Sequence, residues 1–425
     1  MFSASAVYLS SNTLNALIPF ALLPILTRAL GPTQYGEVAM FQTVLTALVA
    51  VTGLSLQGAA GRKYYDFSDD TGDLKYYIGA CFQLLAASTA VVLLVVAIFR
   101  HQLATWLGIE TRWLPWAVAG SAATFIVQMR MTQWQMRKQP VNYGIMQVSQ
   151  SLLNMGASVF LVVVLLRGAA GRIEAIIGVP MLMAAASLWL LHRDGLLGAS
   201  WRPEFIREAA SYGVPLLPHV VGLLLLSSFD RIIVNSELGV AQAGVYMVAV
   251  QLAMGLALLF DSVNNSYVPW LFERLTRDAE HEKRQIVRWS YVYFAFALAC
   301  AGVAFLIGPA AVRMIAGVRY AEAGKAIGWL ALGQAFAGMY LVVTNYIFYS
   351  KRTGVLSLTT IASGLLTVAA LPYMTRHHGL SGAAWVFAGG MFVRFVLTWW
   401  VANLRHPMPW FNPRFKTQSE ILNVQ

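Results

Sequence analysis

DRIIVNSELGVAQAGVYMVAVQLAMGLALLFDSVNNSYVPW, Asp230 to Trp270, decides how the whole chain is read. It closes one apolar segment with an acid–base pair, turns on a seven-residue signature, and enters a second apolar segment that carries a carboxylate. The signature LGVAQAG, Leu238 to Gly244, has an earlier counterpart in LGPTQYG, Leu30 to Gly36. Both fit LGxxQxG, and Leu30 and Leu238 stand 208 positions apart in a chain of 425. A signature repeated at half the chain length marks two halves built alike, each opening with helix, turn and helix.

Composition settles the class. Hydrophobic residues make up 58% of the chain and charged residues 12%, against about 25% charged in soluble domains. The apolar residues gather into blocks long enough to cross ~30 Å of hydrocarbon, which takes about 20 helical residues each. The expectation is an all-α polytopic membrane protein of about twelve transmembrane helices. The first six spans are read at 7–30, 37–60, 76–99, 113–134, 142–166 and 175–191, and the second six at 212–234, 244–268, 291–308, 326–348, 355–373 and 380–403. Six spans per half is an even number, so both halves enter the membrane in the same direction. They form two six-helix lobes related by a pseudo-twofold along the membrane normal, with a cleft between them. The lobes are placed at 1–192 and 212–404, joined by a cytoplasmic linker at 193–211 and followed by a cytoplasmic tail at 405–425. The long connections 192–211 and 271–290 are rich in Arg and Glu and suit short surface helices.

The net charge of +11 raises the question of a nucleic-acid partner. The charges answer it by position, because Lys and Arg sit mainly in short connections between apolar blocks. Connections after even-numbered spans, with the tail, hold eighteen of them, Lys351, Arg352, Arg414 and Lys416 included; the opposite set, which includes Arg172 and Arg231, holds ten. That asymmetry places both termini in the cytoplasm of a bacterial inner membrane and argues for no nucleic acid. Tryptophans near span ends, such as Trp113, Trp270, Trp289 and Trp400, suit an interfacial belt. Cys81 and Cys300 fall inside apolar segments, which supports neither a disulfide framework nor a metal site. No Lys or Arg precedes the first apolar block and no A-x-A-type site follows it, so that block reads as a permanent span. There is no GxxxxGK[ST], HExxH or CxxC, and no His or carboxylate constellation on an outer connection. An enzyme is not expected, nor a cofactor.

Charges inside the spans cost roughly 2.5–3.5 kcal/mol each on insertion scales, so each needs a reason. Arg394 lies about mid-span in the last segment, 11 residues from Arg405, with Gly389 and Gly390 about one turn before it. It reads as a substrate-binding cavity residue or as half of a structural ion pair. Asp261 has Asn264 and Asn265 three and four residues on, which puts all three on one helical face. Interhelical hydrogen bonding competes there with ion coupling for Asp261 and substrate binding for the asparagines. Asp230 and Arg231 point about 100° apart on a helix and need separate partners, as a structural clamp or a gating pair. Arg130 reads as cavity or structural residue, Arg28 as interfacial anchor or cavity residue, and His219 as packing residue or proton carrier. Polar runs in the first span (Ser10 to Asn15) and the fifth (Gln147 to Asn154) suit a hydrated lumen, with helix–helix glue as the alternative. Pro19 and Pro24 interrupt the first span and Pro215 and Pro218 the seventh, as tolerated kinks or as points where each leading helix flexes.

LTRALGPTQYGE, SYGVPLLPHVVG, FDRIIVNSELGVAQAGVY, LFDSVNNSYVPWLFERL and GVRYAEA together resemble the O-antigen-type polysaccharide lipid flippases of the multidrug/oligosaccharidyl-lipid/polysaccharide exporter superfamily. The resemblance implies twelve helices in two lobes that alternately open a central cationic cavity to each side. It implies, as cargo, an undecaprenyl-pyrophosphate-linked oligosaccharide moved from the cytoplasmic to the periplasmic leaflet for lipopolysaccharide assembly. Membrane lipids, a glycan polymerase and a chain-length regulator are the partners it implies. A drug or cation antiporter on the same scaffold, resting on Asp261 and Asp230, and a non-transporting scaffold of a glycan-assembly complex are the competing readings.

Overall fold

In hydrocarbon every backbone amide must be satisfied within the protein, and a helix does this inside a single segment. A computed structural model describes residues 2–66, 71–198, 200–277, 279–350 and 354–410, and among them every regular element is helical. The first half contains α1 (Phe2–Ala29), α2 (Pro32–Gly53), the short α3 (Leu56–Asp66), α4 (Thr71–Ile98), the short α5 (Arg100–Leu107), α6 (Trp113–Met136), α7 (Pro140–Val159) and α8 (Gly168–Arg193). The second half contains α9 (Pro203–Gly213), α10 (Leu217–Leu238), α11 (Val240–Arg277), α12 (Glu280–Ala316), α13 (Gly324–Tyr349) and α14 (Gly354–Arg405).

α14 is a helical hairpin. Gly379 takes φ 60° and ψ −144° inside it, a backbone that glycine adopts without steric cost. The two arms then pack antiparallel: Thr398 Oγ1 donates to Thr359 Oγ1 at 3.3 Å, and a Cβ on Gly390 would lie 2.2 Å from Thr367 Oγ1. Eleven helices reach 20 residues among the described residues, and the break in α14 makes twelve segments. Eight helices, with α14 counted once, are long and apolar enough to cross a membrane. The protein is an all-α polytopic membrane protein.

The connection expected at 271–290 is taken up by the end of α11 and the start of α12, which are helical to Arg277 and from Glu280. Two expected spans are also drawn differently. The second, read at 37–60, is cut after Gly53, because Leu54 and Ser55 take positive φ of 48° and 53°. The break frees the Thr52 carbonyl, which accepts from the Ser88 hydroxyl at 2.7 Å. In the seventh, Pro215 sits in a 3-10 turn ahead of α10 and Pro218 in its first turn, so neither interrupts the helix. Proline is suited to a helix start, where its missing N–H is not needed.

Contacts divide the chain into two compact units, Met1–Val245 and Tyr246–Gln425. In the first, α2, α6 and α8 pack together, and α1 packs on α7. The surface helix α9 is held against α3 and α4 by Lys63–Glu208 at 2.7 Å, by Arg202–Asp73 at 3.1 Å, and by Arg202 stacked 4.2 Å from the Tyr76 ring. In the second, α13 lies between α12 and α14, around an aromatic cluster in which Phe294 meets Phe395 at 5.4 Å edge-on.

Inside the first unit Arg130 of α6 is 1% exposed, lies 4.2 Å from the Trp134 ring, and hydrogen-bonds the carboxylate of Asp194 just past α8. Burial alone would raise the Asp194 carboxyl, but the hydrogen bond and charge of Arg130, with those of Arg193, outweigh it and hold it below its ordinary value. A carboxylate depressed in the folded state contributes stability that is complete above its unfolded pKa and is lost as pH falls through its folded one. Thermal unfolding of Asp194→Asn in detergent is therefore expected to lie below wild type at pH 7, with the gap closing as pH falls below about 4. A gap that is constant with pH would show that the carboxylate charge is not what Arg130 needs.

Candidate functional site

A guanidinium near the middle of the bilayer needs a nest of its own. Arg394 stands on the second arm of α14, 11 residues or about 16 Å before Arg405 at 1.5 Å per residue. Tyr340 of α13 supplies the nest. Its hydroxyl accepts from Arg394 Nη2 at 3.0 Å, and its ring centroid lies 4.0 Å from the guanidinium carbon. Tyr340 is 9% exposed and Arg394 half-buried. Among the described residues no carboxylate pairs with Arg394, and its buried Nε has no hydrogen-bond partner. A Cβ on Gly389, about one turn earlier, would meet nothing within 4 Å, so the helix leaves open space there. The arrangement presents a positive planar fork whose position is fixed and whose charge is not cancelled. Such a fork matches the oxygens of a carboxylate or phosphate with paired donors.

The polar stripe of α11 divides. Asn264 Oδ1 accepts from Asn345 Nδ2 of α13 at 2.8 Å, an interhelical bond, while Asp261 and Asn265 are exposed. Asp230 and Arg231 interact locally: the Arg231 amide donates to Asp230 Oδ1 at 2.9 Å, and Arg231 Nη1 to Ser228 Oγ at 3.2 Å. Arg28 is exposed in the last turn of α1. The side chain of His219 lies outside the described residues, as do Lys351, Arg352, Arg414 and Lys416. Arg130 belongs to the first unit and Arg394 to the second. Some of the polar runs act as glue, since the Ser151 hydroxyl bonds Asn15 between α7 and α1.

One charge was missed. Arg172, expected in an outer connection, lies in the first turns of α8 and is only 8% exposed. Its Nη1 donates to Asn154 Oδ1 at 2.5 Å and to Ser158 Oγ at 2.6 Å, both on α7, and no carboxylate pairs with it among the described residues. Arg167, five residues earlier, is exposed and paired with Glu174 at 2.8 Å. Five residues on a helix turn a side chain by about 140°, which separates the two arginines onto different faces. Tyr340 and Asn345 were also passed over, because nothing in an apolar segment marks the positions that meet an arginine (Tyr340 with Arg394) or an asparagine (Asn345 with Asn264) of another helix.

The twinned signature gains a role from geometry. Gly31 caps α2, whereas Gly239 takes φ 88° at the turn before α11. At the last glycine of each copy the two helices touch through bare backbone: a Cβ on Gly36 would lie 1.9 Å from the Val240 carbonyl oxygen, and one on Gly244 would lie 2.2 Å from that of Pro32. The two copies of the signature are each other's packing partner.

Residues 3–275 match the polysaccharide biosynthesis protein family, well over half of the chain. The chain belongs to that family. A curated relative of this polysaccharide biosynthesis protein, "Lsg locus putative protein 1" of Haemophilus influenzae, is 22% identical over 88% of this chain and 91% of its own length. Among solved structures, the lipid II flippase MurJ in an inward closed conformation superposes with a TM-score of 0.75 at 11% identity, covering 95% of this chain and 88% of that one. An inward-facing multidrug resistance transporter of the MATE family, of the MOP superfamily, gives 0.70 at 15% identity over 94% and 97%. The polysaccharide biosynthesis protein therefore has the fold of these superfamily transporters. At such identities the likeness shows the fold alone.

Proposed function

We propose that the protein is a flippase that moves undecaprenyl-pyrophosphate-linked oligosaccharide repeat units from the cytoplasmic to the periplasmic leaflet of a bacterial inner membrane. It works by alternating access between two lobes around a cationic cavity, with both termini in the cytoplasm. The observation that carries the reading is Arg394, a guanidinium about 16 Å before the end of its helix with no carboxylate partner among the described residues, in a chain of the polysaccharide biosynthesis family. The polyprenyl tail of such a cargo never leaves hydrocarbon, so only the pyrophosphate and sugars need a polar route. A guanidinium on that route offsets part of the pyrophosphate's desolvation. With the cell interior negative, an anion moving outward gains about 2.3 kcal/mol per charge per 100 mV, or roughly 4–5 for a doubly charged head group. One structural relative is a lipid II flippase, and a cargo of that kind, a polyprenyl-linked pyrophosphate carrying sugars, suits the arginine here.

Deletion of the gene is expected to leave lipid-linked repeat units on the cytoplasmic leaflet and to remove surface polysaccharide. Normal surface glycan with no inner-leaflet accumulation would sink the reading. Unchanged glycan with altered drug sensitivity would favour the antiporter instead.

A further inference from the structure

Between α11 and α12, with Val342 of α13 behind them, lies a cavity of about 660 Å³, within the ~300–1,000 Å³ of small-molecule sites. Arg274 and Gln285 line it nearest the turn between Arg277 and Glu280, Trp270 and Trp289 come next, and Val263 and Phe296 lie farthest along the two helices. The charged end is set by Arg274 and Gln285, and the rest is mainly aromatic and aliphatic; the two other polar side chains in the lining are already engaged, Asn264 with Asn345 and the Ser290 hydroxyl with the Ile286 carbonyl. From Val263 to Arg274 it runs 11 residues, about 16 Å of helix, which is the depth of one leaflet of a ~30 Å hydrocarbon core.

Among the described residues no carboxylate pairs with Arg274 at the polar end. Arg274 lies 4.2 Å from the Trp270 ring, and its buried Nε has no hydrogen-bond partner. The neighbouring carboxylates are engaged elsewhere: Glu273 and Glu282 with Arg277, and Glu280 with Arg284. Trp289 beside it is 53% exposed, in keeping with the amphipathic ring found where hydrocarbon meets head groups. One leaflet of depth, an apolar body and a cation at the rim together describe a complement to a single anionic lipid.

We propose that this cavity seats one acyl chain of an anionic glycerophospholipid, with the phosphate on Arg274. A free phosphate would leave the aromatic walls empty, and a long polyprenyl chain would overrun a slot one leaflet deep. The site is formed within the second unit alone and stands whatever cargo the protein moves. A resident lipid would tie the α11–α12 hairpin to the membrane surface at its charged end.

The test uses full-length protein in detergent, with phosphatidylglycerol and phosphatidylcholine of identical chains as probes in native mass spectrometry. Both lipids offer the phosphodiester to Arg274, but the trimethylammonium of phosphatidylcholine brings a second cation beside the guanidinium and the glycerol head group does not, so a preference of about tenfold for phosphatidylglycerol is expected. Arg274→Gln is expected to erase that preference and Arg274→Lys to retain most of it, with melting profiles unchanged. On wild-type protein, phosphatidylglycerol with a photoreactive acyl chain is expected to label peptides spanning Val263–Arg274 and Gln285–Phe296. Equal binding of the two lipids, or labelling outside α11 and α12, overturns the proposal. Stronger labelling of the same peptides by a photoreactive polyprenyl phosphate overturns it in favour of the carrier lipid.

Discussion

Replacing Gly36 by alanine is expected to reduce surface polysaccharide to the level of a deletion strain, while Gly31→Ser in the same motif leaves it unchanged. The difference is geometric. A Cβ at position 36 would lie 1.9 Å from the Val240 carbonyl oxygen, where real Cβ atoms essentially never come under 3.0 Å, so α2 and α11 must part by more than 1 Å. The obstacle is backbone on both sides, and no side chain can rotate away. Overpacking typically costs about 1–3 kcal/mol, and a clash with no flexible partner belongs at the upper end. A Cβ at Gly31 meets nothing within 4 Å, and its φ of −79° suits any residue. Serine there is also a favoured helix cap. Gly244→Ala is expected to repeat the Gly36 result, since its Cβ would lie 2.2 Å from the Pro32 carbonyl oxygen. The measurements are surface glycan by immunoblot and the melting temperature of the purified variants. Normal export and unchanged melting in Gly36→Ala would show that the helices do not meet this closely in the membrane.

Arg394→Gln is expected to lower export of lipid-linked repeat units by about tenfold to a hundredfold. This is the range for loss of a charged hydrogen bond worth about 1.5–3 kcal/mol. The premise is that the guanidinium is held but not neutralised: Tyr340 takes one Nη2 hydrogen and offers its ring, and among the described residues no carboxylate takes the rest. Removing an unpaired charge from hydrocarbon should not destabilise the protein, because its insertion cost of roughly 2.5–3.5 kcal/mol is recovered. Unchanged or raised melting with lost export is thus the signature of a cargo-binding arginine. A structural arginine would give the reverse, lowered melting with export falling only in step. Arg394→Lys, which keeps the charge but not the planar fork, should fall between wild type and Arg394→Gln. Tyr340→Phe, which keeps the ring and removes the acceptor, should cost less than either.

Much of this was legible in the sequence, for local reasons. Apolar blocks of about 20 residues have one stable state in hydrocarbon, so the twelve segments could be read without a fold. The hairpin at Gly379 fell between two such blocks. That Arg394 stands about three turns inside the helix ending at Arg405 followed from counting residues. The charges that remained ambiguous were those whose partners are far away in the chain. Arg130 could be read as cavity or structure until Asp194, 64 residues on, was seen to bond it. Arg172 was read as a loop residue because the sequence around it, LRGAAGRIE, is too short a polar interval to tell a helix start from a connection.

The sequence by itself determined the solvent of this protein and its helical class, because hydrophobicity and helical length are properties of each segment taken alone. It also showed that the signature occurs twice. Only the tertiary structure decided that the two copies press together at Gly36 and Gly244, that Tyr340 holds Arg394, and that α11 and α12 enclose a slot one leaflet deep. Those facts depend on which face of one helix meets which face of another. That choice is made by close packing across the whole bundle rather than by any single stretch of chain.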